Sequence, residues 1–175
     1  MMPNVPSFAE LLDGAARTAV HLEAHDQYAV DQESGPFADW LRTGERPMDP
    51  DGAYWSPWVT LVRRTVARGV GMRRLRVVSE PLSAYTRYEY AGTPVNITAG
   101  EDVRWLPRRL ASDLLLPGND FWLVDDRLVR FNLFDGEGRV VEPQASDDPV
   151  TVEQCAAVFK AAWERAIPHA EYRPG

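Results

Sequence analysis

The stretch WVTLVRRTVARGVGMRRLRVVSE, Trp58 to Glu80, combines a helical pattern with a strand pattern. Leu75 to Val78 is typical of a buried strand. Between the two halves lies Arg68-Gly69-Val70-Gly71, where a glycine can take the positive φ that ends a helix. In the first half, side chains recur at helical spacing at Trp58, Leu61, Val62, Thr65 and Val66. The stretch therefore predicts a helix followed by a strand, the repeating unit of an α/β fold.

The flanking sequence predicts further helices and strands. Ser7 and Glu10 form a capping-box pattern at the start of a short helix, and Ser56-Pro57 is typical of an N-cap followed by the first helical position. Alternation of side chains predicts a strand in the first half of Thr18 to Val30. The other predicted helices are Asp31 to Gly44, Leu82 to Tyr90 and Thr151 to Ala166, and the other predicted strands are Asp102 to Leu106, Phe121 to Val124, Leu128 to Phe134 and Arg139 to Glu142.

These elements predict a single-domain mixed α/β sheet flanked by helices. The chain has 175 residues, which is an ordinary length for one domain, and its strands are first separated by helices and later consecutive. The consecutive strands predict an antiparallel meander with a tight hairpin at Asp125-Asp126-Arg127. A loop rich in Pro, Asp and Gly, at about residues 44–56, is expected to be flexible.

Composition excludes several functional classes. The net charge of −7 and the pI of about 5.0 argue against direct binding of nucleic acid, which relies on a basic surface. Cys155 is the only cysteine, so an internal disulfide and a multi-cysteine metal site are excluded. The N-terminus lacks a secretory pattern, and no apolar run approaches the length of a membrane span. We therefore expect a cytoplasmic protein that does not contact membranes.

Several segments together resemble an uncharacterised actinobacterial family, a domain of unknown function found in streptomycetes and their relatives. They are RTAVHLE, RGVGMRRLRVVSEP, RYEY, AGEDVRWLPR and PGNDFWLVDDRLVRFNLFDGEG. The resemblance covers nearly the whole chain and implies no activity. Members are often encoded beside helix-turn-helix regulators, which implies a role near transcriptional control, with such a regulator as the partner protein.

The segment DFWLVDDRLVRF is similar to a strand pair of the phospholipase D superfamily. This second resemblance implies a phospholipase-D-like half-fold. That superfamily carries a His-x-Lys-x4-Asp motif, and if Asp125 took the place of the aspartate, the histidine and lysine places would fall on Gly118 and Asp120. Phosphodiesterase chemistry of this type needs an imidazole nucleophile, so the departure argues against it.

Seven residues are candidates for binding a ligand. Ser79 and Glu80 follow the Leu75 to Val78 strand, at the end of a strand where ligands gather in α/β sheets; a cap of the next helix is the alternative for Glu80. The other candidates are Tyr85 and Arg87 on a predicted helix, Arg104 on a strand, and Asp120 and Asn132 around the hairpin, each of which could equally serve packing, turns or ion pairs.

His21 and His25, with Glu23 and Asp26 nearby, form the only cluster of potential metal ligands in the sequence. Because the local alternation favours a strand, the two histidines would lie on one side at a wide separation. A metal site would also need a third ligand from elsewhere. A partly exposed strand face is therefore the preferred interpretation, and no metal or cofactor is predicted.

The leading hypothesis is a non-catalytic binding or regulatory module that senses a small ligand or acts with a helix-turn-helix regulator. The alternative is an enzyme that uses Glu80, Asp120 or His21 as acid or base on a small metabolite. DNA binding is disfavoured by the acidic charge and by the lack of a helix-turn-helix pattern. The sequence is compatible with a homodimer.

Overall fold

A computed structural model of the chain describes residues 5–174, except for the side chain of residue 32. It contains a seven-stranded mixed sheet with the strand order β6-β5-β4-β1-β2-β3-β7. The mixed α/β sheet flanked by helices that the sequence predicts is therefore confirmed. The strands are β1 Thr18–Glu23, β2 Gly71–Val78, β3 Glu101–Pro107, β4 Asp120–Val124, β5 Leu128–Asn132, β6 Gln144–Ser146 and β7 Ile167–Pro168.

Helices separate the three parallel strands and cover both faces of the sheet. β1 pairs in parallel with β2, and β2 with β3, whereas β4, β5 and β6 form an antiparallel meander that joins the other side of β1. Within the described residues, no helix is both long and apolar enough to cross a membrane. The helices are α1 Phe8–Asp13, α2 Asp31–Thr43, α3 Ser56–Ala67, α4 Ala84–Ala99 and α5 Pro149–Arg165, with a short 3-10 helix at Arg108–Leu110.

The two faces of the sheet have different cores. On one face, α5 packs Phe159 and Ala162 against a continuous apolar surface that includes Leu22, Leu75 and Phe121. The opposite face is apolar at the two ends of its strands: α1, α3 and α4 cover one end with Leu11, Leu12, Val59, Val62, Val95 and Ala99, and a smaller cluster of Val78, Leu82, Trp105 and Tyr172 lies at the other. The middle of this second face carries polar side chains, and the candidate site lies there.

Two predicted helix boundaries are wrong. Ser56 is the first residue of α3 rather than its N-cap, because a turn closed by the hydrogen bond from Ser56 N to Gly52 O already brings Trp55 into helical backbone geometry. The helix predicted at Leu82 to Tyr90 begins at Ala84, after the N-cap Ser83, and continues through Gly92 and Pro94. Buried contacts of its second half outweigh the local preference of these two residues.

The strand predicted at Arg139 to Glu142 is also wrong. The residues of β5 pair instead with Gln144–Ser146, and the predicted segment makes two isolated bridges, between Ala29 and Arg139 and between Phe134 and Val140. The backbone before it is held by the Asp135 side chain, which accepts hydrogen bonds from the amides of Glu137 and Arg139 at 2.9 and 3.0 Å. This leaves Val140 and Val141 free to border the open part of the sheet.

The hairpin between β4 and β5 anchors the start of β1. Asp125 and Asp126 have φ values of 55° and 50°, a region in which aspartate is tolerated better than most residues. The Asp125 carboxylate accepts hydrogen bonds from the backbone amides of Ala16, Arg17 and Thr18 at 2.8, 2.7 and 2.9 Å. Burial opposes the charge, but these three amides outweigh it and lower the pKa of Asp125.

Replacing Asp125 with Asn is expected to lower the free energy of unfolding by about 2 kcal/mol near neutral pH, because the amide keeps the backbone preference but loses the charge. Since the folded-state pKa is depressed, this stabilisation is present above the unfolded pKa of about 3.9 and is lost as the pH falls through the folded value. Urea unfolding of wild type and D125N between pH 2 and pH 7 measures the difference.

The matched control is D126N, because Asp126 is exposed, shares the positive φ and accepts no hydrogen bond from residues 16–18. It is expected to change the free energy of unfolding by less than about 0.5 kcal/mol. Equal losses in the two variants would contradict the role given to Asp125.

Candidate ligand-binding site

Strand register places a row of polar and aromatic side chains across the middle of the sheet. Trp122 of β4 pairs with Arg130 of β5 on one side and with His21 of β1 on the other, and His21 pairs with Arg74 of β2. A second row follows two residues along each strand, where Asp120 pairs with Asn132, and Glu23 with Arg76. Because side chains alternate between faces, both rows point away from α5.

Buried ion pairs hold the floor of this region together. Glu23 accepts hydrogen bonds from Arg74 Nη1 at 2.6 Å and from Arg76 Nε at 2.7 Å. Arg74 Nε also donates to Glu101 at 2.7 Å, and Glu101 accepts a further bond from Trp58 Nε1 at 2.6 Å. Each of the four charged side chains belongs to a residue less than 9% exposed, so the charges balance one another without help from water.

Glu89 of α4 is the carboxyl in this cluster that keeps a proton. Burial opposes the charge of Glu23, but Arg76 and Arg74 outweigh burial and hold its pKa well below the ordinary value. Glu89 lies 3.4 Å from Arg76 Nη2 and competes with Glu23 for the same guanidinium; burial raises its pKa to about 8. Glu23 is therefore the charged partner of both arginines at neutral pH.

The pKa values of the two histidines of the predicted cluster shift in opposite directions. Burial lowers the pKa of His21 to about 3, and the neighbouring guanidinium of Arg74 acts in the same direction. The hydrogen bond to Asp120 raises the pKa of His25 above its ordinary value. His25 Nδ1 lies 2.9 Å from Asp120 Oδ1, and the other carboxylate oxygen of Asp120 accepts a hydrogen bond from Tyr28.

A cavity of about 660 Å³ lies above the two rows of side chains. Aromatic rings form most of its walls, and they come from α1, α3, α4 and the segments around residues 28, 54 and 134. These rings are Phe8, Tyr28, Tyr54, Trp55, Trp58, Tyr85, Tyr88 and Phe134. The arrangement combines a charged floor with apolar walls, which is typical of a pocket for a small molecule.

Arg46, in the loop before α3, closes one side of the cavity. Its guanidinium lies 3.7 Å from the ring centroid of Tyr88 and 5.0 Å from that of Trp55, and it donates to the backbone oxygen of Tyr88. Gly92 makes room for it, since a Cβ there would lie 2.4 Å from the guanidinium carbon. Gly92, which lies just beyond the end predicted for this helix, thus serves this close approach.

Three of the seven candidate residues line the cavity, namely Tyr85, Asp120 and Asn132. The other four lie elsewhere, engaged with the protein itself. Ser79 Oγ donates to Asp26 at 2.6 Å, and Glu80 accepts from Tyr172 Oη at 3.0 Å and from Arg109 at 3.1 Å.

Arg87 and Arg104 also make contacts with the protein itself. Arg87 donates to the backbone oxygen of Leu82 at 2.8 Å. Arg104 points to the α5 face of the sheet, where its guanidinium lies 4.4 Å from the ring centroid of Trp163. The structure thus brings Tyr85 of α4 together with Asp120 and Asn132 of the hairpin strands. The candidates after β2, Arg87 of α4 and Arg104 of β3 lie apart from them.

The preferred interpretation of the His21 segment, a partly exposed strand face, is wrong. His21 and Glu23 are 6% and 8% exposed because α3 and α4 cover this face of β1. Among the described residues, no three His, Cys, Asp or Glu side chains are grouped so that they could hold a metal ion.

Sequence reasoning missed the residues that form most of the cavity floor: Arg74, Arg76, Trp122 and Arg130. Each lies on a central strand at alternate positions with buried apolar residues. The sequence did contain a signal for them. Polar side chains occur at every second position of strands that pair on both sides, and the face of such a central strand is covered in the fold.

The family model of a domain of unknown function, DUF6879, matches residues 6–174. The chain belongs to this family. No curated protein matches the chain. A solved structure of TrmBL2, described as an archaeal chromatin protein with a novel mode of DNA binding, is similar with a TM-score of 0.49 and 17% sequence identity. The similarity covers 91% of this chain and 48% of the TrmBL2 chain, so this chain spans about half the length of that protein.

The two histidines give a direct test of the site's electrostatics. We expect the imidazole NMR signals of His21 to show the neutral form from pH 8 down to pH 5, whereas those of His25 titrate above the ordinary value of about 6.5. Because only the unfolded chain protonates His21 in this range, its burial lowers stability as the pH falls below about 6.5.

The measurement is a pH series of long-range 1H–15N spectra, with H25Q used to assign the signals. In H25Q the His21 signals are expected to stay in their neutral position. Titration of His21 near its ordinary pKa would contradict the burial and the charge arrangement described for it.

Proposed function

We propose that the domain is a non-catalytic module that binds a small molecule in the cavity above β1, β2, β4 and β5. The observation that carries this proposal is the cavity itself: about 660 Å³, with a floor of buried charges and walls of aromatic rings. Buried ion pairs contribute less to the free energy of unfolding than well-packed apolar residues of similar volume. A floor of buried charges therefore lowers stability relative to an apolar floor, and we attribute its presence to binding.

The polar floor supports binding more than it supports stability. The α5 face of the same sheet is packed with apolar side chains and shows that this chain can cover the strands without charges. On the cavity face, Arg74, Arg76 and Glu23 are fixed by mutual hydrogen bonds before any ligand arrives. A preorganised polar surface reduces the entropic cost of binding.

The regulatory part of the proposal rests on the resemblance to the actinobacterial family encoded beside helix-turn-helix regulators. In this proposal, ligand occupancy changes the contact between the domain and such a regulator. Actinobacterial origin and the phospholipase-D-like half-fold stay predictions from the sequence.

The proposal is tested by thermal-shift screening of a metabolite library against wild type and A53W. Ala53 is exposed at the rim of the cavity, so a tryptophan there is expected to obstruct the cavity while leaving the fold intact. At least one class of compounds is expected to raise the Tm of wild type by several degrees and to have little effect on A53W.

The matched control is A170W, an exposed alanine that does not line the cavity. It is expected to respond like wild type. A screen with no stabilising compound, or with equal stabilisation of A53W and wild type, would argue against a ligand in this cavity.

An enzyme acting on a small metabolite is the second candidate, and the observation in its favour is the hydrogen bond between His25 and Asp120. A carboxylate that orients an imidazole and raises its pKa is a common arrangement for acid–base catalysis, and Asp120 lines the cavity. His21 is a poorer base, because burial lowers its pKa to about 3.

Mass spectrometry of stabilising compounds after incubation with the protein distinguishes the two candidates. A binding module returns each compound unchanged. An enzyme converts it, and H25Q is expected to abolish the conversion while retaining the thermal shift.

A further inference from the structure

We propose that the ligand is a flat, largely apolar carboxylate whose charged end lies against four side chains of the cavity floor: His21, Trp122, Arg130 and Asn132. We call these four residues the donor cluster. This inference rests on the proposed function and adds to it the chemical class and the orientation of the ligand.

Arg130 supplies a buried positive charge without a carboxylate partner. It is 8% exposed, and no Asp or Glu of the described residues lies within ion-pair distance of it. Its Nε donates to Pro6 O at 3.0 Å, its Nη1 donates to Asn132 Oδ1, and its guanidinium lies 4.2 Å from the ring centroid of Phe8. An arginine keeps its charge in a protein, so this end of the cavity favours an anion.

His21 adds a donor for which the described residues supply no acceptor. Arg74 Nη1 lies 3.2 Å from His21 Nδ1, and a guanidinium can only donate, so Nδ1 is the acceptor. In the neutral imidazole the proton is then on Nε2. That atom lies 3.5 Å from Asn132 Nδ2, which is also a donor, so the two groups face each other without an acceptor between them.

The mismatch does not depend on the orientation of the Asn132 amide. Rotating the amide by 180° would give His21 an acceptor, but it would turn the amide NH2 toward Arg130, which cannot accept. In either orientation, donors outnumber acceptors between the imidazole and the guanidinium.

Trp122 completes the donor cluster. The residue is 2% exposed, its ring stacks on His21 with a centroid distance of 4.3 Å, and its Nε1 has no hydrogen-bond partner in the described structure. His21 Nδ1 already accepts from Arg74, so these four donor-bearing side chains have one further side-chain acceptor among them, Asn132 Oδ1. Unmatched buried donors are costly, and a ligand that brings two acceptor oxygens supplies partners to those donors that the cavity exposes.

The charge balance favours a single negative charge. Arg74 and Arg76 already pair with Glu23 and Glu101, so Arg130 is the only uncompensated cation in the donor cluster. The other charged carboxylates of the cavity are occupied within the protein, Asp120 by His25 and Tyr28, and Glu33 by Tyr85. A carboxylate matches one guanidinium in charge and in planar geometry.

Aromatic rings beside the donor cluster favour a flat apolar body for the ligand. The rings of Trp58 and Phe8 lie 5.9 and 6.2 Å from that of Trp122, centroid to centroid, and both line the cavity. Rings on several sides of a cavity bury large apolar area and prefer offset or edge contacts with another ring.

The test uses isothermal titration with benzoate, naphthalene-2-carboxylate and anthracene-2-carboxylate, each matched with its primary carboxamide. At least one acid is expected to bind wild type about tenfold more tightly than its amide, because only the acid offers a charged acceptor to Arg130. 2-Naphthyl phosphate serves as the dianionic probe and is expected to bind more weakly than the naphthoate.

R130Q is expected to remove the preference for acid over amide, whereas R127Q is expected to retain it. Arg127 is the matched control, since it lies on the same hairpin but is exposed and does not line the cavity.

N132D gives a second test with opposite effects on stability and binding. A carboxylate at this position supplies the missing acceptor for Arg130 and for His21 Nε2, so we expect the Tm of the free protein to rise. The same charge repels a carboxylate ligand, so we expect affinity for the acids to fall by at least about tenfold. A lower Tm together with unchanged acid binding would overturn the inference.

The results of the titrations and of the thermal-shift screen distinguish a failure of the carboxylate assignment from a failure of the proposed function. Amides that bind as well as acids, or a phosphate that binds more tightly, would overturn the carboxylate assignment while leaving a ligand-binding cavity. If library compounds stabilise wild type but not A53W and none of the three acids binds, the carboxylate assignment is likewise overturned and the ligand-binding cavity is retained. If nothing binds in either screen, both fail.

Discussion

The structure depends on one buried carboxylate, Glu23, held between the guanidiniums of Arg74 and Arg76. The parallel register of β1 and β2 brings the three side chains together at 2.6–2.7 Å, and α3 and α4 cover them. Removing one member of such a cluster typically costs about 3–5 kcal/mol, because a charge is then left buried without a partner. The pairing therefore constrains what else can lie on this face: Glu101 must complete the neutralisation of Arg74, and Glu89, the weaker partner of Arg76, keeps its proton.

This constraint divides the sheet into two functional halves. The α5 face is a largely apolar core that supports the strands. The other face has its charges fixed in place and a cavity above them, and of the three floor arginines, Arg74, Arg76 and Arg130, Arg130 alone lacks a carboxylate partner among the described residues. A rigid floor with one uncompensated cation is suited to recognising an anionic group, since the protein has already met the cost of ordering its side chains before the ligand arrives.

Local signals in the sequence were sufficient to predict most of the fold. The capping box at Ser7, the positive φ at Gly69 and the hairpin at Asp125 are each determined by residues close in the chain, and the structure has all three. The course of α4 through Gly92 and Pro94 was missed because its cause is distant: buried contacts of its second half with the rest of the fold outweigh the local preference of these two residues. The cavity floor was missed for a similar reason. His21, Trp122 and Arg130 are far apart in sequence, and only the register of three paired strands brings them into one row.

The central claim is that an anionic ligand binds at the uncompensated end of the polar floor. A crystal structure of the protein soaked with naphthalene-2-carboxylate tests it most directly. The account predicts density for the naphthyl ring between the aromatic walls, with the carboxylate oxygens within hydrogen-bond distance of the Arg130 guanidinium and the Asn132 side chain. An empty cavity, or a carboxylate bound beside Arg46 and away from Arg130, would contradict it.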